Sequence, residues 1–276
     1  MTDLLLQLEG IEQAALDTLA AAEQTGEGVR LPFPVVNAWW INGSRNFKPL
    51  GNVQYFGGWA TDAERAGEMV EAGDLVALPK DWFAFEGQSE QGEYQCLGSR
   101  AVTFSPIVYR LSWLTQDGKS RRAKYDEAHR RSHLQYLGQV RDSAGLIFPA
   151  VLTAKGMQSS NLLTALKEWG KAIAPYRKDL NATRFPLGAF WLAFGTQGDA
   201  PDFQSVGSEA KSTITPVKSI LPATLTAETV AKRFVGPQVL GQNAEMLNQA
   251  ADWLAAWKEQ AETPANAETF DEFAPA

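Results

Sequence analysis

Residues 119–136 hold Lys119, Arg121, Arg122, Lys124, Tyr125, His129, Arg130, Arg131, His133 and Tyr136, directly after the turn dipeptide Asp117-Gly118. Guanidinium and ammonium groups at this density can follow a chain of phosphates, and Tyr125 adds a ring face on which a base can stack. The turn-like composition predicts a long loop between strands that projects these groups outward. A solvated basic loop with no ligand is the alternative.

A second candidate is the segment from Ala150 to Asn161, which reads as a strand, a Lys155-Gly156 turn and a helix capped by Ser159 or Ser160. Free N–H groups at such a helix start, with an ammonium beside them, suit a phosphate. An ordinary capped helix would have the same sequence. It is not a nucleotide-binding loop, because the second glycine and the Lys-Ser/Thr pair are missing.

The third is aromatic: Trp39, Trp40, Phe47, Tyr55, Phe56 and Trp59, with Arg45 and Lys48 among them. Side chains alternate along a strand, so Trp39 and Trp40 face opposite ways, as do Tyr55 and Phe56. One of each pair is expected to be exposed or covered by another element. Exposed rings near Arg or Lys suit base stacking, and Trp39, Tyr55 and Trp59 are the candidates.

Catalytic chemistry finds less support. His129 and His133 are the only histidines, and no cysteine or recognised acidic spacing completes a metal site around them. Cys96, within Tyr94-Gln95-Cys96-Leu97, reads as core rather than nucleophile. No GxSxG elbow, Walker loop, GxGxxG after a strand or HExxH occurs. Carboxylate sites have no dependable spacing, so a hydrolase or nuclease stays open.

A net charge of −7 over 276 residues argues by itself against a polyanionic partner. Its distribution argues the other way. Residues 100–184 carry 15 Lys and Arg against 6 Asp and Glu, a balance of +9, and the remainder carries −16. Local potential rather than net charge steers a polyanion. One cysteine excludes an internal disulfide framework. Met1–Glu12 lacks the basic start of a secretory signal, and no apolar run reaches membrane-spanning length, so a cytoplasmic protein is expected.

The elements that must position these groups are mostly strands. Strands are expected over 35–41, 53–59, 74–78, 82–86, 93–97, 101–114, 132–140, 146–154, 189–195 and 211–220. Helices are expected over 3–24, over 61–72 with Thr61 or Asp62 as cap, over 158–174 with Leu162, Leu166, Trp169 and Ile173 on one stripe, and from 226 to 260, broken near Gly236-Pro237. The fold class is therefore mainly β with helical additions. The first choice is an antiparallel barrel of the oligonucleotide/oligosaccharide-binding type, with a β-sandwich as alternative. The expected division is an N-terminal helix (1–28), a β core (29–225), C-terminal helices (226–260) and a disordered acidic tail (261–276).

The tail carries Phe270, Asp271, Glu272 and Phe273. With the basic, aromatic β core, it resembles single-stranded DNA-binding proteins of bacteria and phage, whose acidic C-terminal tips end in aromatic or apolar residues and recruit replication and repair partners. This sequence departs from that pattern in the Ala274-Pro275-Ala276 that follows and in its larger core. The resemblance implies partner docking at Phe270–Phe273 and a role in replication, recombination or repair.

The expectation is thus sequence-tolerant binding of single-stranded DNA without a cofactor or metal. Phosphates would be held by Arg110, Arg121, Arg122, Lys124, Arg130, Arg131 and Lys155, assisted by Arg45 and Lys48, with stacking on Trp39, Tyr55, Trp59 or Tyr125. An RNA or duplex-DNA binder and a carbohydrate-binding or scaffolding β-domain are the alternatives, and homo-oligomerisation is left open.

Overall fold

A computed structural model describes residues 31–42, 48–49, 57–89, 92–116, 118, 121–181, 184–196, 204–206 and 212–255. The expected helix over 3–24, the tail with Phe270–Phe273, and Arg45 and Tyr55 lie outside these residues.

The protein is mainly β. Its two longest strands, β6 (Ala101–Thr115) and β8 (His129–Arg141), form an antiparallel ribbon within an eleven-stranded sheet. Their register slips between Pro106 and Val108. Pro106 has no N–H to give to a ladder, so the bulge falls where the pairing would be incomplete in any case. Beyond β8 lie β9 (Ile147–Lys155), β1 (Val36–Asn42), β3 (Gly57–Asp62), β5 (Gly92–Ser99), β4 (Phe83–Ser89) and the short β2 (Lys48–Pro49). On the other side of β6 lie β10 (Leu192–Gly195), β13 (Lys218–Ser219) and the two-residue β7 (Arg121–Arg122). The sheet is mixed rather than wholly antiparallel, because β1 runs parallel to β9. A separate pair joins β11 (Gln204–Val206) to β12 (Ser212–Ile214).

Strand twist curls this sheet into a half-barrel. The Trp59 indole Nε1 donates to the Phe194 carbonyl at 3.2 Å, although β3 and β10 stand five strands apart in the sheet order. The face that carries Trp40, Trp59, Leu134, Leu152 and Ala154 is therefore the inner one. Helix α2 (Met157–Asp179) fills it with Leu162, Leu166, Trp169 and Ile173, all buried, and Trp169 Nε1 donates to the Ala193 carbonyl at 2.9 Å. The stripe read from the sequence is the packed one. The helix continues through Pro175 and is held by the Tyr176 hydroxyl, which donates to the Leu225 carbonyl at 2.7 Å.

Helix α1 (Ala63–Glu71) starts where expected, its Arg65 N–H donating to the Asp62 carboxylate at 2.8 Å. The strand expected over 74–78 does not form. Gly73 takes φ 80° and Leu75 N–H returns to the Met69 carbonyl, so the chain turns instead of extending, with Leu75 buried and Val76 85% exposed. At the C-terminal side, α3 (Ala227–Ala231), α4 (Pro237–Gln249) and α5 (Ala251–Ala255) follow, with Pro237 opening α4 as the sequence suggested. Helix α4 covers part of the outer face. Asn243 accepts from Gln139 Nε2 at 2.7 Å and donates to Ser105 Oγ at 2.9 Å, and those two residues are cross-strand partners. The C-terminal helices and the sheet thus share one core.

Candidate functional site

The basic run divides between strand and loop: Arg121–Arg122 form β7 and β8 begins at His129, while residues 123–128, with Lys124 and Tyr125, make the loop between them. β7 pairs with β6 so that Trp113 faces Arg122 and Leu114 faces Arg121, and β8 already begins at His129. Arg130 and Arg131 therefore lie on a strand. The ladder of β6 and β8, which runs from the Leu111 and Leu134 pair to the Thr115 and His129 pair, carries the pairing into a stretch whose turn-like composition predicts a loop.

Strand alternation sorts the cations. Leu114 is flanked in register by Arg121 and Arg131, and His133, two residues along β8, pairs with Lys155 of β9. Arg121, Arg131 and Lys155 therefore share the outer face, where all three are half-buried. Arg122 projects from the opposite face with Trp113. Lys124 and Arg130 are exposed, and Arg130 Nε donates to the Glu127 carbonyl at 2.7 Å. Tyr125 is 59% exposed and meets Trp113 edge to face, with ring centroids 5.2 Å apart.

Asp126 organises this end. It accepts the His129 and Ala128 backbone N–H groups, the His129 ring Nδ1–H at 2.8 Å, and Arg122 at 3.1 Å. The ring hydrogen bond, helped by the backbone bonds, holds its carboxyl at about 2, below the usual 3.8. His133 sits with Nδ1 3.3 Å from Ser112 Oγ. Cys96 is buried, and burial pushes its thiol up, away from the nucleophilic thiolate.

Arg131 and Lys155, 24 residues apart in sequence, meet at one cleft of about 40 Å3 with Trp39, Trp40, Ile41, Asn42, Thr153 and Gln158. No carboxylate lines it among the described residues. Its base is a polar clamp. Asn42 Oδ1 accepts from Gln158 Nε2 at 2.7 Å and from the Thr215 N–H at 3.1 Å, and Gln158 Oε1 accepts from the Val217 N–H at 3.1 Å. Gly156, at φ 56°, opens α2 with no side-chain cap. Ser159 is not the expected cap, because its hydroxyl donates back to the Ala154 carbonyl at 2.7 Å.

The other expected contacts fall elsewhere. Trp59 is fully buried against Trp40 and offers no face to a base. Trp39 is 8% exposed and packs with Ile41, Ala60, Phe85 and Cys96, so it too has no open ring face, although its edge lines the cleft. Arg110 lies 4.2 Å from the Trp253 ring of α5 and donates to Gln135 Oε1 at 2.5 Å, which commits it to packing. Lys48 lies in β2, opposite Glu86. Sequence reasoning missed Asn42 and Thr153. Asn42 carried only a turn signal, and nothing local links it to Thr215. No protein-family model, curated protein or solved structure matches this chain.

Proposed function

We propose that this protein binds single-stranded DNA with little sequence preference. The observation that carries the reading is the convergence of Arg131 and Lys155 on one cleft, with no carboxylate among its described lining residues, at the foot of a ribbon that bears Arg121, Arg122, Lys124 and Arg130. Phosphates would follow these cations, and the exposed Tyr125 ring would take a base. Trp59 and Arg110 leave the set of contacts, because packing uses them. In this reading the curled sheet plays the part of an oligonucleotide-binding barrel. The protein would act in the cytoplasm in replication, recombination or repair, with Phe270–Phe273 recruiting partners.

Titration of a labelled oligo-dT, followed by anisotropy at several salt concentrations, tests the proposal. Binding should weaken linearly in log[salt], by about 0.7 per phosphate contact. Salt-independent binding, or preference for duplex or RNA at equal nucleotide concentration, would overturn it.

A further inference from the structure

Arg141 and Arg233 meet at Trp191, away from the basic ribbon end. Arg141 closes β8, about 30 Å from Arg131 at ~3.3 Å per residue. Its guanidinium lies 4.9 Å from the centroid of the buried Trp191 ring. Arg233 follows α3 and holds the same tryptophan, because the Trp191 N–H donates to the Arg233 carbonyl at 2.7 Å and the Arg233 guanidinium donates back to the Trp191 carbonyl at 3.1 Å. That guanidinium also covers the buried Trp169 ring, 4.8 Å from its centroid. Two half-buried guanidiniums are thus held beside one another by rings and a carbonyl, none of which carries a negative charge. Neither has a carboxylate partner among the described residues, and the Arg141 guanidinium makes no hydrogen bond there. Nearby acids are otherwise used: Asp142 accepts the Lys80, Ala144 and Leu146 N–H groups, Glu168 accepts from the Ser219 hydroxyl, and Glu228 pairs with Lys232.

Burial lowers the pKa of both arginines, and the Arg141 charge lowers that of Arg233 further. Partly desolvated like charges repel, and an anion between them relieves both the repulsion and the lost hydration. A carboxylate is matched by one guanidinium fork, whereas a tetrahedral oxyanion can accept from two forks at once through different oxygens. We infer that Arg141 and Arg233 form a second oxyanion site, which takes one phosphate group between their guanidiniums. The site does not depend on the DNA reading, since neither residue belongs to the ribbon end. Its phosphate is either free, as inorganic phosphate or a monoester, or a diester of a strand that runs the length of β8.

The test uses the full chain labelled with 15N and follows its arginine Nε–H signals. Arg141→Gln and Arg233→Gln assign the two of interest. Inorganic phosphate is titrated in against chloride at equal ionic strength. Both signals should move saturably with one affinity, and Arg141→Gln should weaken phosphate binding at least about tenfold. Arg141→Lys, which keeps the charge and loses the fork, should recover only part of that affinity. Movement matched by chloride, or wild-type phosphate affinity in Arg141→Gln, would refute the site. Oligo-dT with hydroxyl ends then separates the sources. If it moves both signals and phosphate displaces it, the strand supplies the group. If phosphate moves both signals and oligo-dT leaves them still, the site takes free phosphate, and the DNA reading is judged by its own salt titration. Should a glutamine variant fail to fold, Arg141→Lys carries the comparison, with weaker phosphate binding expected and unchanged binding refuting the site.

Discussion

Trp39 and Trp40 are neighbours on one strand and belong to two different regions. Trp40, inside the curl, meets Trp59 edge to face and gives its Nε1–H to the Thr215 carbonyl at 2.8 Å. Trp39, on the outer face, keeps an indole N–H with no acceptor among the described residues, beside Arg131 and Lys155. The inner region satisfies the polar edges of its tryptophans through chain that returns over it, as Trp59 and Trp169 also show. On the outer basic end, Arg131 and Lys155 meet at one cleft instead. The difference separates residues that specify the curl from residues available to a ligand.

Substitutions at the two regions should therefore act on different measurements. The largest effect is expected at the inner face. Trp59→Ala should cost about 3–5 kcal/mol in denaturant unfolding and leave the salt dependence of oligo-dT binding by the folded fraction unaltered. Next, Arg122→Gln, Lys124→Gln and Arg130→Gln combined should reduce the log K against log[salt] slope by about 2, with stability changed by no more than ~0.5 kcal/mol. A stability loss in that triple variant, or a changed slope in Trp59→Ala, would break the division.

Tyr125→Ala comes third. Losing one stacked base should weaken oligo-dT binding by about 1–3 kcal/mol at every salt concentration, without changing the slope. The smallest effect concerns Asp126. Its folded carboxyl lies below the unfolded value, so whatever it contributes is complete above pH 3.8 and is lost as the pH falls through about 2. NMR titration should place its midpoint near 2, and Asp126→Asn should remove that transition. A midpoint near 3.8 would mean that the His129 contact is not held in solution.

The mainly β class, β6, β8, β9, the Asp62-capped α1 and the α2 stripe were legible because each rests on local periodicity or a cap within a few residues. The basic run is legible in part: its turn-like composition predicts the loop that carries Lys124 and Tyr125, while the pairing of Arg121–Arg122 with β6 depends on a partner strand. The absent strand over 74–78 likewise reflects the left-handed turn at Gly73, which its apolar residues did not reveal.

By itself the sequence determined that Trp39 and Trp40 point to opposite faces and that the cations gather in the middle third, since alternation and composition are properties of the chain. Only the tertiary structure decided that both tryptophans are buried and what each packs against, which arginine is consumed by Trp253, and that Asn42 is oriented by Thr215, 173 residues away. Those outcomes depend on the curl, and the curl comes from summed strand twist and long-range packing that no short window of sequence contains.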